Sequence, residues 1–473
     1  MEGTTIRLGF CPTRRDVFSK EEALKHKKII LDNIKKYENI DVVDIEDINE
    51  EGLLFDYSDL FSIIDKMKTN KVDCLFFPHV NFGTEDLVAE VAKALKVPVL
   101  IWGPRDDSPL ENGLRTRDTQ CGMFATGKVL RRYGVPFTYL INSTLFSENF
   151  KNGFKKFLSV TNIVKQFKKT RILQISTRPT GFNSVTTNEG ELLEKFGIRI
   201  YPVALNEITS LIPEIIKNNS SKFIEEVKFV KENISKDTDI DNIKKMIGLK
   251  FAIKETADKY YCNAAAIQCW NSLQDIIGIM PCLANSLLGD EGFPCVCETD
   301  ICGAITAIIL QAAAFDEKPI FFADITVRDS KRDNVELFWH CGPFPFSLAR
   351  NKEKAEAGNH WVLESKSYGT CEWEIEHGDV TIARFDGDNG KYSLFMGEGK
   401  GVDGPFTRGT YLWVEVGNWP KWEKKLVEGP YIHHVAGIHG KYADVLHEAC
   451  KYINFLSPDP CEPDEEEIIN RWL

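Results

Sequence analysis

Three places in the sequence combine carboxylate or imidazole side chains with apolar, rigid surroundings. Glu298 follows the apolar run FPCVC and precedes a stretch of small and apolar residues, Ile301 to Ala314, that has helical character. Asp324 follows the strand-like run PIFFA, and His433 and His434 stand together in GPYIHHVAGIHG. Two carboxylates and an imidazole are ligands that suit a divalent cation such as Mn²⁺, Mg²⁺ or Co²⁺.

Each of these positions also has a purely structural interpretation. A carboxylate before a helix commonly stabilises the helix N-terminus, and a histidine in an apolar segment is commonly a hydrogen-bonded core residue. A carboxylate at the end of an apolar strand is costly to bury unless it is paired or bound to a metal. Taken singly, each position favours the structural role, so the prediction of a metal site depends on their occurring together.

The cysteines offer a weaker candidate site. Cys295 and Cys297 could supply half of a metal site, although packed thiols at a buried strand end are the commoner meaning of such a pair. The 13 cysteines are scattered from Cys11 to Cys461 without a CxxC, and the N-terminus MEGTTIRLGF lacks the pattern of a secretory signal. We therefore expect reduced, mostly buried thiols in a cytoplasmic protein.

Composition limits the partners of the chain. With 473 residues, it is long enough for two or three domains. Its net charge of −12 argues against a nucleic-acid partner, because phosphate binding needs a basic face. No run of about 18 apolar residues occurs, so no membrane span is predicted.

Strand-like and helical patterns alternate over residues 1–165 and again over residues 166–350. In the first block, the runs 6–12, 41–45, 73–80, 97–103 and 135–141 are strand-like. Such alternation predicts parallel, doubly wound sheets, whose ligands lie beyond the carboxyl ends of the strands. The loops after Pro12, His79 and Gly103 are therefore expected to face a ligand.

The character changes after residue 350. The alternating runs 378–385, 391–397 and 410–417 are separated by Gly, Asp and Asn, which is typical of an antiparallel sheet or small barrel. The predicted fold is α/β: two N-terminal doubly wound parallel-sheet (Rossmann-like) domains, 1–165 and 166–350, and a C-terminal mostly antiparallel β domain, 351–473, with a closing helix.

The candidate residues lie in motifs that resemble those of one enzyme superfamily. Cys297–Glu298–Thr299–Asp300 resembles the T-E-N-D helix start of the L-fucose isomerases, and Phe322–Ala323–Asp324–Ile325 resembles their F-A-D-V/I strand. Ile432–His433–His434–Val435 is similar to the closing N-H-G-V of that family and to the A-H-H-T-V of the L-arabinose isomerases. Weaker matches are Tyr442–Ala443–Asp444, Ile101–Trp102–Gly103, Gln268 in IQCW, and Arg14–Arg15 after Pro12.

This resemblance to the L-fucose/L-arabinose isomerases implies an aldose–ketose isomerase that works through an enediol on a bound cation, with Mn²⁺ (or Mg²⁺ or Co²⁺) expected. It implies that Glu298 and Asp324 are metal ligands and also the acid/base pair. The fucose-type match indicates His433 as the third ligand and the arabinose-type match indicates His434. We prefer His434 as the ligand, with His433 bound to substrate.

One departure from the fucose type leaves the substrate open. Trp339–His340–Cys341–Gly342 stands where those enzymes have an N-S-G-like turn, so His340 is either a fourth ligand or a contact to the sugar. L-fucose, L-arabinose, D-arabinose, and sulfonated or deoxy sugars are all possible substrates. The remaining residues predicted to bind substrate are Gln268, Arg14 and Trp102. Arg14, Arg15 and Arg105 could meet an anionic sugar, or serve as surface or intersubunit charges.

The same residues are compatible with two other functions. A metal-dependent sugar aldolase or lyase could use the same cation, and a catalytically silent sugar-binding protein would need no acid/base pair. The family resemblance implies a homotrimer or homohexamer in which a neighbouring N-terminal domain completes each site.

Overall fold

The computed structural model describes residues 4–315, 317–361 and 367–472. Two compact units make up this part of the chain. The first contains the residues up to Lys165, together with Glu448–Ile453 and the residues from Glu466 onward; the second contains Gln166–His447 and Asn454–Glu465. No helix in the described ranges is both long enough and apolar enough to cross a membrane.

The first unit is built on a five-stranded parallel sheet in the order β2-β1-β3-β4-β5. Its strands are β1 (Ile6–Phe10), β2 (Ile40–Val43), β3 (Cys74–Pro78), β4 (Val99–Trp102) and β5 (Thr138–Tyr139). Its helices are α1 (Lys20–Ile34), α2 (Leu60–Thr69), α3 (Glu85–Leu95), α4 (Thr119–Arg132) and α5 (Glu148–Lys168). Every residue of β3 and β4 is buried, as expected for strands of a parallel sheet with both faces covered.

The second unit contains a four-stranded parallel sheet in the order β7-β6-β8-β9. Its strands are β6 (Arg171–Ile175), β7 (Arg199–Val203), β8 (Ala264–Ile267) and β9 (Cys295–Val296). The helices of this segment are α6 (Glu189–Phe196), α7 (Leu205–Thr209), α8 (Leu211–Asn218), α9 (Ser221–Asn233), α10 (Ile240–Lys259), α11 (Ser272–Ile277), α12 (Cys282–Asp290) and α13 (Ile301–Ala313). Helix α13 is buried all round, because its sequence ICGAITAIILQAA carries no charged residue.

A nine-stranded sheet follows in the same unit, in the order β12-β13-β16-β11-β10-β17-β14-β15-β18. Its strands are β10 (Phe321–Arg328), β11 (Val335–His340), β12 (Glu356–Asn359), β13 (Tyr368–Glu374), β14 (Gly378–Asp388), β15 (Lys391–Val402), β16 (Thr410–Glu415), β17 (His434–His439) and β18 (Leu456–Pro460). An additional pairing of β15 with β16 closes six of these strands into an antiparallel barrel. The last helices are α14 (Trp419–Glu428), α15 (Ala443–Cys450) and α16 (Glu465–Asn470), and short 3₁₀ turns cover Tyr57–Asp59, Asn183–Val185 and Phe346–Leu348.

The predicted fold class is confirmed, because parallel α/β sheets precede a mostly antiparallel, barrel-containing sheet. Strands β10 and β11 lie before the predicted boundary at residue 350, yet they pair into the barrel with β17 and β16. The division of the chain into three domains stays a prediction.

Candidate active site

Glu298 is held in an unusual turn at the edge of the parallel sheet. Strand β9 ends at Val296, and Glu298 and Thr299 then have φ values of 53° and 56°. This left-handed region is rarely adopted by residues with a side chain, and least of all by a β-branched residue such as threonine. Asp300 closes the turn by accepting a 2.8 Å hydrogen bond from the Gly303 backbone N–H at the start of α13. The turn fixes the direction in which the buried Glu298 side chain points.

The barrel supplies the other candidate residues from three adjacent strands. Asp324 on β10 lies opposite His434 on β17 and opposite Trp339 on β11. His340 is the last residue of β11, and His433 immediately precedes β17. Residues directly opposite each other in an antiparallel pair project to the same face, so the strand register brings Asp324 and His434 together.

Carboxylate and imidazole atoms from these elements converge. Glu298 Oε2 lies 3.5 Å from His340 Nε2 and 3.7 Å from His434 Nε2. Asp324 Oδ1 lies 3.4 Å from His434 Nε2 and 4.0 Å from His433 Nε2. Among the described residues, Glu298 Oε2, Asp324 Oδ1 and His340 Nε2 are buried atoms without a hydrogen-bond partner. Because buried polar atoms are nearly always paired, this convergence fits a group that would bind them, and a divalent cation matches the carboxylates.

The tautomer of His434 leaves one ring nitrogen free. His434 Nδ1 lies 2.9 Å from Asp300 Oδ2. Arg384 donates to both oxygens of Asp300, at 2.5 and 3.1 Å, and to Asp386 at 2.7 Å. Burial alone would raise the pKa of Asp300, but Arg384 and His434 outweigh it and hold that pKa below its usual range. The ionised carboxylate keeps the proton on His434 Nδ1, so the lone pair on Nε2 faces the site, as in a metal-binding histidine.

His340 has the opposite tautomer. Its Nδ1 accepts a 2.9 Å hydrogen bond from the Cys341 backbone N–H. A neutral ring that accepts at Nδ1 carries its proton on Nε2, on the side of Glu298. Burial lowers the pKa of His340, but Asp324, Cys341 and Glu298 outweigh it and raise that pKa. The neutral and the protonated ring therefore both offer a donor at Nε2 rather than a lone pair. His433 is different again, since its side chain is 47% exposed and its ring packs 4.4 Å from that of His434.

The two carboxylates have different proton affinities. Burial raises the pKa of Glu298, but the neighbouring His340 and His434 outweigh it and lower this pKa to about 2. For Asp324 burial prevails over the same histidines, and its pKa is raised. Carboxylates whose pKa values are separated in this way can take different roles in one reaction.

The second oxygen of Glu298 faces a separate set of residues that follow β8. Glu298 Oε1 accepts hydrogen bonds of 3.1 Å from both Cys269 Sγ and Trp270 Nε1. Gln268, predicted to bind substrate, lies one residue earlier, and its Oε1 accepts a 2.7 Å hydrogen bond from Ser176 Oγ. This segment follows the carboxyl end of a parallel strand, where ligands of such sheets bind.

Arg14 and Trp102 belong to the first unit. Arg14 is buried, donates to both oxygens of Glu51 at 2.5 and 2.9 Å, and lies 3.7 Å above the ring of Phe55. Trp102 is fully buried, and its indole N–H donates to Ser143 at 3.3 Å. Their role in binding substrate stays a prediction.

Several residues of the site were not found from the sequence alone. Arg384 stands in the apolar strand run VTIARF, where an isolated arginine is itself a signal of a buried ion pair. Asp300 carried the local signal of a helix cap. In the sequence, only their position next to Gln268 marks Cys269 and Trp270 as candidate site residues.

Sequence comparisons agree with this fold. A family model described as the N-terminal domain of fucose/sulfoquinovose isomerase matches residues 9–168, and the C-terminal domain model of L-fucose isomerase matches residues 338–457. A sulfoquinovose isomerase from Priestia aryabhattai is 26% identical over 459 residues, covering 96% of this chain and 98% of that protein. One from Alkalicoccus urumqiensis is 25% identical over 389 residues, covering 81% and 85%.

Similarity to solved structures adds nothing to these matches. A periplasmic solute-binding protein from Actinobacillus succinogenes with bound D-allose aligns with 66% of this chain and 89% of its own, at 13% identity and a TM-score of 0.16. So low a score supports no argument.

The matched domains and relatives place the protein in the class of aldose–ketose isomerases. Within that class, the chain belongs to the fucose/sulfoquinovose isomerase family. The resemblance predicted from the Glu298, Asp324 and His434 motifs is thereby confirmed at the level of the family.

Proposed function

We propose that the protein interconverts an aldose and a ketose through an enediol, with a divalent cation held by Glu298, Asp324 and His434. The observation that carries the proposal is the convergence of Glu298 Oε2, Asp324 Oδ1 and His434 Nε2, the first two of which are buried without a partner among the described residues. Two carboxylates and one imidazole favour Mn²⁺ or Co²⁺, with Mg²⁺ also possible.

The protein residues would divide the work of moving the protons. When bound, the cation would supply Lewis-acid polarisation of the sugar carbonyl. Asp324 is the better proton acceptor of the two carboxylates, because burial raises its pKa, so it would shuttle the proton between C1 and C2. Glu298, whose pKa is lowered to about 2, would stay ionised and act as a ligand. His340 would donate from Nε2 to a sugar oxygen.

Aromatic packing keeps the imidazoles away from water. The ring of Phe322 lies 5.3 Å from that of His434 and 6.0 Å from that of His340, and both histidines are buried. Excluding water strengthens the electrostatic interactions inside the site and protects a reactive enediol.

The names of the relatives suggest a sulfonated aldose as substrate, and we propose sulfoquinovose, with L-fucose second. The test is to incubate Mn²⁺-loaded protein with sulfoquinovose, L-fucose, L-arabinose and D-arabinose and to measure ketose formation. We expect the highest kcat/KM with sulfoquinovose. Cleavage into shorter products would instead support the aldolase or lyase alternative, and binding without turnover would support a silent sugar-binding protein.

We also propose a homotrimer or homohexamer in the cytoplasm, with each site completed by a neighbouring subunit. The cytoplasmic assignment is supported by the 13 cysteines, all of which lie in the described residues and none of which is paired in a disulfide. Light scattering tests the assembly, and a monomer that is fully active would contradict shared sites.

The contact between Asp300 and His434 predicts a loss of metal affinity in Asp300→Asn. Removing the charge that holds the His434 proton on Nδ1 is expected to weaken Mn²⁺ binding roughly 10- to 100-fold. The matched control is Asp386→Asn, which takes an equal charge away from Arg384 without touching His434. Calorimetric titration with Mn²⁺ measures both variants. An equal loss of affinity in the two would mean that Asp300 acts only through Arg384.

His340→Asn separates a substrate contact from a metal ligand. Because His340 Nδ1 accepts from the Cys341 backbone N–H, which leaves a ring proton for Nε2, we expect a raised KM for the sugar with unchanged metal content. His434→Asn is the comparison, and it is expected to lose metal first and to recover part of its activity at high Mn²⁺. Metal analysis alongside steady-state kinetics measures both. Metal loss in His340→Asn would make His340 a fourth ligand.

A further inference from the structure

A second set of ligand atoms lies on the other side of Glu298. Cys269 Sγ, Cys297 Sγ and a carboxylate oxygen of Glu298 all lie within 4.8 Å of one another, and all three residues are buried. The sulfur of Cys269 lies 3.1 Å from Glu298 Oε1. The partner of Cys297 in this cluster is therefore Cys269, from the segment after β8, and not Cys295 as the CxC spacing suggested.

We infer that Cys269, Cys297 and Glu298 form a binding site for a thiophilic divalent ion such as Zn²⁺ or Cd²⁺. Zinc bonds of about 2.3 Å to sulfur and 2.0 Å to oxygen put tetrahedral ligands roughly 3.5–4 Å apart. Cys269 Sγ and Glu298 Oε1 are 3.1 Å apart and all three ligand atoms lie within 4.8 Å of one another, so only small side-chain movements would be needed. Binding would release one proton from each thiol, since the thiolate is the ligand. No oxidant or other reactant is involved.

A neighbouring amide provides independent support. Asn285 Nδ2 lies 3.7 Å from Cys297 Sγ, and Asn285 Oδ1 is a buried atom without a partner in the described part of the chain. Rotation of this amide would offer its oxygen to the same ion as a fourth, neutral ligand, which gives the set the four ligands of a closed tetrahedral site.

The two oxygens of Glu298 thus face two different kinds of ligand: Oε2 faces nitrogen ligands and Oε1 faces a soft sulfur ligand. Oε2 lies beside the imidazoles of His340 and His434, and Oε1 lies beside the sulfur of Cys269. Thiolates select soft ions, whereas carboxylate and imidazole sets accept Mn²⁺. A thiophilic ion would draw Glu298 towards the sulfur side and inhibit the enzyme. This inhibition rests on the proposed function, whereas binding of the ion does not.

Cadmium titration tests the site directly, because Cd²⁺–thiolate bonds absorb in the ultraviolet. In Mn²⁺-loaded protein we expect an absorption band that saturates at about one Cd²⁺ per chain, with turnover falling at least about 10-fold in parallel. Cys269→Ala and Cys297→Ala are each expected to lose the saturable band. Cys295→Ala is the matched control, since Cys295 is a buried cysteine two residues from Cys297 but outside the cluster, and it should keep the band.

A second pair of neighbouring thiols is an alternative site for Cd²⁺. Cys282 Sγ and Cys341 Sγ lie 3.7 Å apart, so Cys341→Ala is measured as well. A band that survives in Cys269→Ala and Cys297→Ala but disappears in Cys341→Ala would overturn the inference. The absence of a saturable band in the unaltered protein would overturn it without any variant, whether or not the protein proves to be an isomerase. A saturable band with unchanged turnover would overturn the inhibition alone.

Discussion

Glu298→Gln and Asp324→Asn are each expected to lower turnover at least about 100-fold while the protein stays folded. The amides keep the size and much of the hydrogen bonding of the carboxylates. They remove the charge that would hold the cation and, at Asp324, the proton acceptor. The backbone pairing of Asp324 with Trp339 and His434 does not depend on its side chain. Measurement of kcat at saturating metal and sugar, with circular dichroism to verify folding, checks this result.

Glu336→Gln is the matched control for these variants. Glu336 is a buried carboxylate on β11, the strand that carries His340, and burial raises its pKa to about 7. It lies beside Arg328 rather than beside the converging carboxylates and imidazoles, so turnover should stay near that of the unaltered protein. Near-normal turnover in Glu298→Gln would mean that Glu298 does not hold the cation, and near-normal turnover in Asp324→Asn would mean that the proton acceptor lies elsewhere.

Chelation is expected to abolish activity, and Mn²⁺ should restore it better than Ca²⁺. An imidazole ligand disfavours Ca²⁺, which prefers six to eight oxygen ligands. The cation would also join the β9–α13 turn to strands β10 and β17, so Mn²⁺ should raise the melting temperature through its preference for the folded state. Activity assays and thermal melts of chelated and reloaded protein measure both effects.

Glu298→Gln provides the control for the thermal measurement, because it should show a much smaller Mn²⁺-dependent rise in melting temperature. Full activity in protein shown by elemental analysis to be metal-free would refute the metal-dependent mechanism.

Much of the fold was predictable because its signals are local. The parallel strands are short apolar runs between helical patterns, and the runs 378–385, 391–397 and 410–417 alternate as strands of an antiparallel sheet do. Closure of the barrel was not predictable in the same way. It depends on the pairing of β15 with β16, and the strand patterns alone do not distinguish an open sheet from a closed one.

The same distinction between local signals and tertiary contacts applies to the residues of the candidate site. Glu298, Asp324 and His434 were proposed because each stands in a short motif, whereas Arg384 and Cys269 were not. Arg384 and Asp300 are 84 positions apart in the sequence, and only the packing of α13 against β14 brings them together. The choice of His434 over His433 stays a prediction, because both imidazoles lie with Asp324 in one group of possible ligands; the contact of His434 with Asp300 is the structural reason for that preference.

The left-handed turn at Glu298 and Thr299 has a consequence for how this protein can be stabilised. Each residue with a side chain in that region costs on the order of 1–3 kcal/mol, and glycine would relieve the strain. The conformation of the turn, which holds Glu298 in place, therefore lowers the free energy of unfolding of the chain. Glycine at position 299 would remove that strain together with the 3.2 Å hydrogen bond that Thr299 Oγ1 donates to the Thr177 carbonyl, and its freer backbone would hold Glu298 less firmly, as in other trade-offs between stability and activity.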